Sequence, residues 1–407
     1  MIFRSRTLVP MHGPPVENGA VVVEGNRILA AGALADIAPH FAGGTTDLGE
    51  CALLPGLINA HCHLDYTMMR HAIGRQKTFT DWVIRINAMK RSLSEDDYLR
   101  AIADGFVELK KWGTTTVLNI EAFPELLPRL PAPPIRAWWF YEMIDIRSRI
   151  DTDELIAGAL AFFNERPDWL GGFGLSPHAP YTATAELFRL AGAVAKKMGM
   201  PLTTHVAESL DEMRMFSEGE GPLHRFLAGL GRDMSDCGKG TPLAHLVRHG
   251  VIGHDWIAVH LNELDESDFA LVPPGLHVVH CPRSSQFFGH RRFEFRRLRE
   301  RGANICLGTD SLASNTSLSL FAEMQALQKS APGLGAGEIL ETVTVNPARA
   351  LKCETQLGKI APGALADLIA IPFAGAAADV FDAIVNHTKP VGWMLVDGKM
   401  SHEPPAK

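Results

Sequence analysis

LLPGLINAHCHLDYT, residues 53–67, opens as an apolar run (Leu53, Leu54, Leu57, Ile58) and closes on His61 and His63. The two histidines stand two apart, so on an extended strand both imidazoles project from one face, while Cys62 between them points to the other. Two imidazoles converging on one point suggest a metal. A His-x-His pair also arises as ordinary hydrogen-bonded polar residues, so its weight depends on what the rest of the chain brings beside it.

Outward from this stretch, apolar segments alternate with amphipathic helical patterns, the signature of a parallel βα architecture. The strand candidates are LLPGLINA (53–60), TTTVLNI (114–120), IRAWWFYEMI (135–144), GGFGLS (171–176), PLTTHV (201–206), WIAVHL (256–261), LHVVHC (276–281) and NICLGTD (304–310). Eight is the number that closes a (β/α)₈ barrel. One helix is sharply marked: Ser94 and Asp97 form a capping box, Tyr98, Ile102, Phe106 and Leu109 follow at helical spacing, and Gly113 ends it.

The two ends of the chain read differently. AVVVEGNRILAA (20–31) is two short strands about a Glu24-Gly25-Asn26 turn, and ADLIAI (366–371) and VGWMLVDGKM (391–400) carry the same short β signals. The expected fold is therefore α/β: a (β/α)₈ TIM barrel over residues 53–355, with a small β-sandwich domain formed by residues 1–52 and 356–407.

The composition fits this reading. Of 407 residues, 46% are hydrophobic and 21% charged, which supplies ample core without staples. A net charge of −7 disfavours nucleic acid as a partner, because phosphate binding needs a basic surface. The basic run from His290 to Arg299 reads as a solvated helix face. No stretch approaches the roughly 18 uninterrupted apolar residues of a membrane helix, and the N-terminus lacks a signal-peptide core, so the cytoplasm is expected. Six scattered cysteines fit a reducing compartment and argue against both a disulfide framework and a thiolate zinc site.

In a parallel barrel, active sites form at the C-terminal ends of the strands. Those ends here carry His61 and His63 (strand one), Pro177-His178-Ala179-Pro180 (four), His205 (five), His260 (six), His280 (seven) and Asp310 (eight). Three imidazoles and a carboxylate from strands one, five and eight make a divalent transition-metal site that leaves a position for water. Glu208, three residues after His205, is placed for proton transfer between water and a substrate nitrogen. The bland alternative for Glu208 is a first-turn acid at a helix N-terminus.

The stretches PGLINAHCHLD, SPHAPYT, THVAES, HLNELD, VHCPRSS, LGTDSLASN, VNPARALKC and LGKIAPGALADLIAI together resemble the amidohydrolase superfamily, in its cytosine-deaminase-like branch with S-adenosylhomocysteine deaminases and s-triazine chlorohydrolases. The resemblance implies a metal held by His61, His63, His205 and Asp310, with His260 orienting the attacking water or the developing tetrahedral centre and Glu208 and Asp310 handling protons. Binuclear members carry a carboxylated lysine after strand four. Ser176-Pro177-His178 stands there instead, which implies one divalent ion, zinc first and iron or manganese as alternatives.

The activity implied is hydrolytic deamination of an adenine nucleoside or related amino-N-heterocycle, with release of ammonia. Alternatives are an s-triazine chlorohydrolase or aminohydrolase, a guanine- or cytosine-type ring deaminase and, from another class, an inactive metal-binding homologue. HCPRSSQFFGHRRFEF and LGTDSLASN look similar to aminodeoxyfutalosine deaminases, where Arg283 beside Phe287 and Phe288 would hold a carboxylate and a ring. His178, Ser311 and Arg147, with Arg149 nearby, complete the substrate-contact candidates. The branch also implies a small-molecule substrate and a homodimer.

Overall fold

The structure, a computed structural model, describes residues 1–146, 151–164 and 169–402. Five strands come first: β1 (Ile2–Leu8), β2 (Val16–Glu24), β3 (Arg27–Ala33), β4 (Thr45–Asp47) and β5 (Cys51–Pro55). Nine follow in the middle of the chain: β6 (Leu57–His63), β7 (Thr114–Glu121), β8 (Arg136–Met143), β9 (Gly171–Pro177), β10 (Leu202–Val206), β11 (Trp256–His260), β12 (His277–His280), β13 (Asn304–Leu307) and β14 (Asp310–Ser311). The last are β15 (Leu368–Pro372), β16 (Trp393–Val396) and β17 (Lys399–His402).

The middle strands form one parallel nine-stranded sheet in the order β13-β12-β11-β10-β9-β8-β7-β6-β14. The sheet is curled: β13 lies on one edge and β14, only two residues later in the chain, pairs with β6 on the other, Asp310 opposite Cys62. Gly308 lies in the connection, where an added Cβ would come within 2.8 Å of the His61 Cβ. Inside the curl pack Ile58, Leu118, Ile120, Phe140, Ile257, Val259 and Val279, and helices cover the outside.

The helix Glu95–Lys111 shows how local sequence places this layer. Ser94 and Asp97 cap it reciprocally, and its buried stripe is Tyr98, Ala101, Ile102, Gly105, Phe106 and Leu109. Gly113 leaves it at a φ of 76°, a conformation glycine adopts without Cβ strain.

Strands from both chain ends form a second, eight-stranded sheet in the order β17-β16-β15-β5-β1-β2-β3, with β4 against β1. This corrects one expectation. LLPGLINA is two strands rather than one: Leu53 and Leu54 pair with β15 in the end sheet, and the chain enters the curled sheet only at Leu57. The switch occurs at Gly56, where a Cβ would fall 2.1 Å from the Thr115 side chain. Among the described residues no helix is long and apolar enough to cross a membrane.

Candidate metal centre and active site

His61 and His63 end β6, His205 lies near the end of β10, His260 ends β11 and Asp310 begins β14. The curl brings them together. Imidazole centroids lie 4.8 Å apart for His61–His63, 4.9 Å for His61–His205 and 5.5 Å for His205–His260. Asp310 Oδ1 stands 3.7 Å from His61 Nε2 and 3.9 Å from His63 Nε2. Three overlapping sets, His61–His205–His260, His61–His63–Asp310 and Glu208–His260–Asp310, each place their ligand atoms within 4.8 Å of one another.

These donors suit a cation. Both ring nitrogens of His61 and Nδ1 of His63 are buried with no hydrogen-bond partner. Buried polar atoms are normally satisfied, and a divalent ion is the partner that His and Asp donors without thiolate share. His205 donates from Nδ1 to the His178 carbonyl at 2.8 Å, which fixes the ring and leaves Nε2 facing the cluster. Asp310 is braced by the Ser284 hydroxyl on Oδ2 at 2.6 Å and by the Ser311 backbone N–H on Oδ1 at 2.8 Å.

Local backbone strain marks the same rim. His260 has a φ of 81°, Asp310 of 57° and Ala207 of 51°, all in the left-handed region that non-glycine residues rarely occupy. Hydrogen bonds hold these conformations: the Asn59 side chain accepts from Thr309 N–H and donates to the Thr309 hydroxyl beside Asp310. Glu212 accepts from the N–H groups of Ala207 and Glu208 at 3.1 and 2.7 Å.

Glu208 precedes Ser209, the N-cap of helix Leu210–Glu218, so it is not a first-turn acid; Asp211 and Glu212 occupy that position. Its Oε1 lies 3.5 Å from His260 Nε2. Burial, followed by the nearby Asp310 charge, pushes the Glu208 carboxyl well above the usual carboxylate range. Asp310 goes the opposite way: burial would raise it, but the neighbouring His61 and His260 imidazoles outweigh that and hold it well below its usual range. Burial, reinforced by other imidazoles, pushes His205 down to about 3 and keeps its ring neutral, the form that can ligate a metal.

The cluster floors a cavity of about 400 Å³. His63, His178, His205, Glu208, His260, Asp310 and Ser311 line its base. Phe79, Trp82, Val83 and Ile86 from one helix face Leu223, Phe226 and Leu227 from another across its mouth. His178 joins through Nδ1, 2.5 Å from the Thr182 hydroxyl. Arg283 is not in this cavity. Its guanidinium bonds the Thr316 hydroxyl and lines a separate cavity with Phe287, on the far side of the loop after Asp310. Phe288 packs on Phe79 and Trp82 instead. Arg147 and Arg149 lie outside the described residues. His280 is buried against the Phe293 ring at 4.1 Å, away from the cavity.

Sequence reasoning missed Glu142 and Lys90, which line the same cavity. Glu142 stands next to last in β8, so the signal that found the other residues, a polar side chain at the end of an apolar strand, was present for it too.

The sequence profile of the amidohydrolase family matches residues 52–394. A 5-methylthioadenosine/S-adenosylhomocysteine deaminase of Syntrophobacter fumaroxidans is 31% identical, the match covering 89% of this chain and 81% of the relative. The chain belongs to the amidohydrolase family. Members of this family are metal-dependent, in keeping with the buried donor set. Among solved structures, an adenosine deaminase from Xanthomonas campestris with bound zinc superposes with a TM-score of 0.83 at 25% identity, covering 99% of this chain and 92% of that one. The Helicobacter pylori aminofutalosine deaminase in complex with methylthio-coformycin shares the amidohydrolase fold at 22% identity and a TM-score of 0.84, covering 98% and 99% of the two chains.

Proposed function

We propose that this amidohydrolase is a metal-dependent hydrolytic deaminase of an adenine nucleoside. The observation that carries the reading is the gathering of His61, His63, His205, His260, Glu208 and Asp310 at the base of one cavity, with imidazole nitrogens left unpaired. The deaminase relatives support the choice of an amino-bearing ring as substrate.

His61, His63, His205 and Asp310 would hold the ion, and zinc is our choice for it. Without a lysine after β9, we read the site as mononuclear. When bound, the metal supplies a water acidified enough to deliver hydroxide near neutral pH. Asp310 would take a proton from the attacking water. Glu208 gives a proton to the ring nitrogen beside the amino-bearing carbon, and His260, 3.5 Å from Glu208, steadies the developing negative charge on oxygen. Asp310 would pass the proton it took to the departing amine, which leaves as ammonia, and Glu208 would regain its own from the hydroxyl added to the ring carbon. His178 and Ser311 contact the substrate from the cavity wall, and the apolar mouth excludes bulk water.

The mouth also shapes the substrate. Phe79, Trp82, Phe226 and Leu227 favour an apolar substituent on the sugar. The same reading takes the curled sheet as a closed (β/α)₈ barrel, flanked by a small β-sandwich domain from residues 1–52 and 356–407, with the junction at Gly56 rather than at residue 53.

The test is ammonia release and loss of the adenine absorbance with adenosine, 5′-methylthioadenosine, S-adenosylhomocysteine and aminodeoxyfutalosine as substrates. Turnover of at least one nucleoside supports the reading. Turnover only of free bases or chlorinated triazines overturns it.

A further inference from the structure

Glu142 is the one carboxylate on the cavity wall that the chemistry above does not use. Its side chain is 8% exposed, and among the described residues it forms no hydrogen bond. His178 Nε2 is 4.0 Å from its Oε1, too far for a hydrogen bond. Glu142 on β8 pairs with Ser176 on β9, and His178 follows directly after the last residue of β9, Pro177.

A nearly buried carboxylate with two free oxygens accepts hydrogen bonds and donates none, so its ligand must bring donors. Lys90 lies on the same wall, its ammonium 4.9 Å from the Tyr66 centroid and in no ion pair among the described residues. That positive charge disfavours a cationic ligand. Neutral donors remain, and two hydroxyls on adjacent carbons match two carboxylate oxygens side by side, as in the carboxylate recognition of ribose by dinucleotide-binding folds.

We propose that Glu142 binds the vicinal 2′- and 3′-hydroxyls of the substrate's ribose, and that His178 bounds the same sugar pocket. The site thus selects ribonucleosides over their deoxy counterparts. This rests on the nucleoside reading of the cavity and adds the residue that reads the sugar. Without the diol the carboxylate would be buried unpaired, and a cost of that kind is what makes hydrogen-bonding sites discriminate strongly.

The experiment compares adenosine, 2′-deoxyadenosine and 3′-deoxyadenosine as substrates of the holoenzyme and of Glu142→Gln. Calorimetric binding of inosine and 2′,3′-dideoxyinosine serves as a readout independent of turnover. Expected for the wild type is a preference for the ribonucleoside of at least about tenfold in kcat/KM, with inosine binding tighter by a similar factor. Glu142→Gln should narrow the ratio to below about threefold, chiefly through a higher KM for adenosine. A wild type indifferent to the diol overturns the proposal, as does a Glu142→Gln variant that keeps the full preference. Should inosine bind with the expected preference while no nucleoside releases ammonia, the deaminase reading falls and the role of Glu142 stands.

Discussion

The two ends of the curled sheet bury charge in opposite ways. At the base, Arg136 at the start of β8 reaches into the end sheet. Its Nε is 2.7 Å from Asp367 Oδ2, its Nη2 is 2.6 Å from Asp397 Oδ1, and Asp367 also accepts from the Asp397 N–H at 2.7 Å. At the rim, ring nitrogens of His61 and His63 have no partner, and four backbone positions, Ala207, His260, Leu261 and Asp310, sit in strained conformations. The base is a closed network that joins two sheets; the rim is an open one waiting for ligands. Buried polar groups left unmatched cost stability, so two neighbouring imidazoles left unpaired beside a carboxylate mark the rim as the end built for ligands.

The comparison can be broken by substitutions at either end. The largest effect should come from Glu208→Gln, which keeps the side-chain shape but cannot shuttle a proton. We expect kcat to fall on the order of 10³-fold with the melting temperature nearly unchanged. Loss of fold stability instead would make Glu208 a structural residue.

Asp367→Ala should do the reverse. It leaves the Arg136 guanidinium buried with only Asp397 as a partner, for a loss of about 3 kcal/mol in denaturant unfolding. The kcat of the folded fraction should stay within about threefold of wild type, because no group at the rim moves. A large drop in kcat would mean that the two ends are coupled.

Ser284→Ala is a smaller probe. It removes the hydroxyl that donates to Asp310 at 2.6 Å, with about a tenfold reduction in kcat/KM expected and metal content retained.

A pH-resolved probe is Glu323, buried behind the Asp310 loop, where it accepts from the Arg283 N–H and the Asn315 amide. Burial, partly offset by Arg283, pushes its carboxyl up to about 8. A carboxyl whose folded value is raised binds more protons folded than unfolded. It therefore stabilises fully below its unfolded value, and that contribution is lost as pH rises through about 8. Relative to Glu323→Gln, the wild type should lose melting temperature steadily between pH 5 and pH 9. A difference that is flat with pH would contradict the assignment.

Much of this molecule was readable in the chain because single residues carried the signal. Ser94 and Asp97 cap a helix by purely local bonds, and histidines two apart at a strand end announce their common face. Gly56 was harder. Leu53 to Ala60 is continuous in hydrophobicity, and only the packing of Thr115 against the chain shows where it changes sheets. Arg283 shows the other limit: its residue type suits a carboxylate, yet the loop from Leu312 to Thr316 separates it from the histidine-lined cavity, and such a separation has no local sequence signature. Glu142 was passed over because its neighbours in IRAWWFYEMI are so apolar that the segment registers simply as a strand.

The central claim is that His61, His63, His205 and Asp310 hold one ion and that Glu208 does not. Metal content per chain, measured by mass spectrometry on the purified wild type, Glu208→Gln and His205→Ala, tests it most directly. One equivalent in the first two and almost none in the third is the expected result. Two equivalents in the wild type, or loss of the ion from Glu208→Gln, would contradict it.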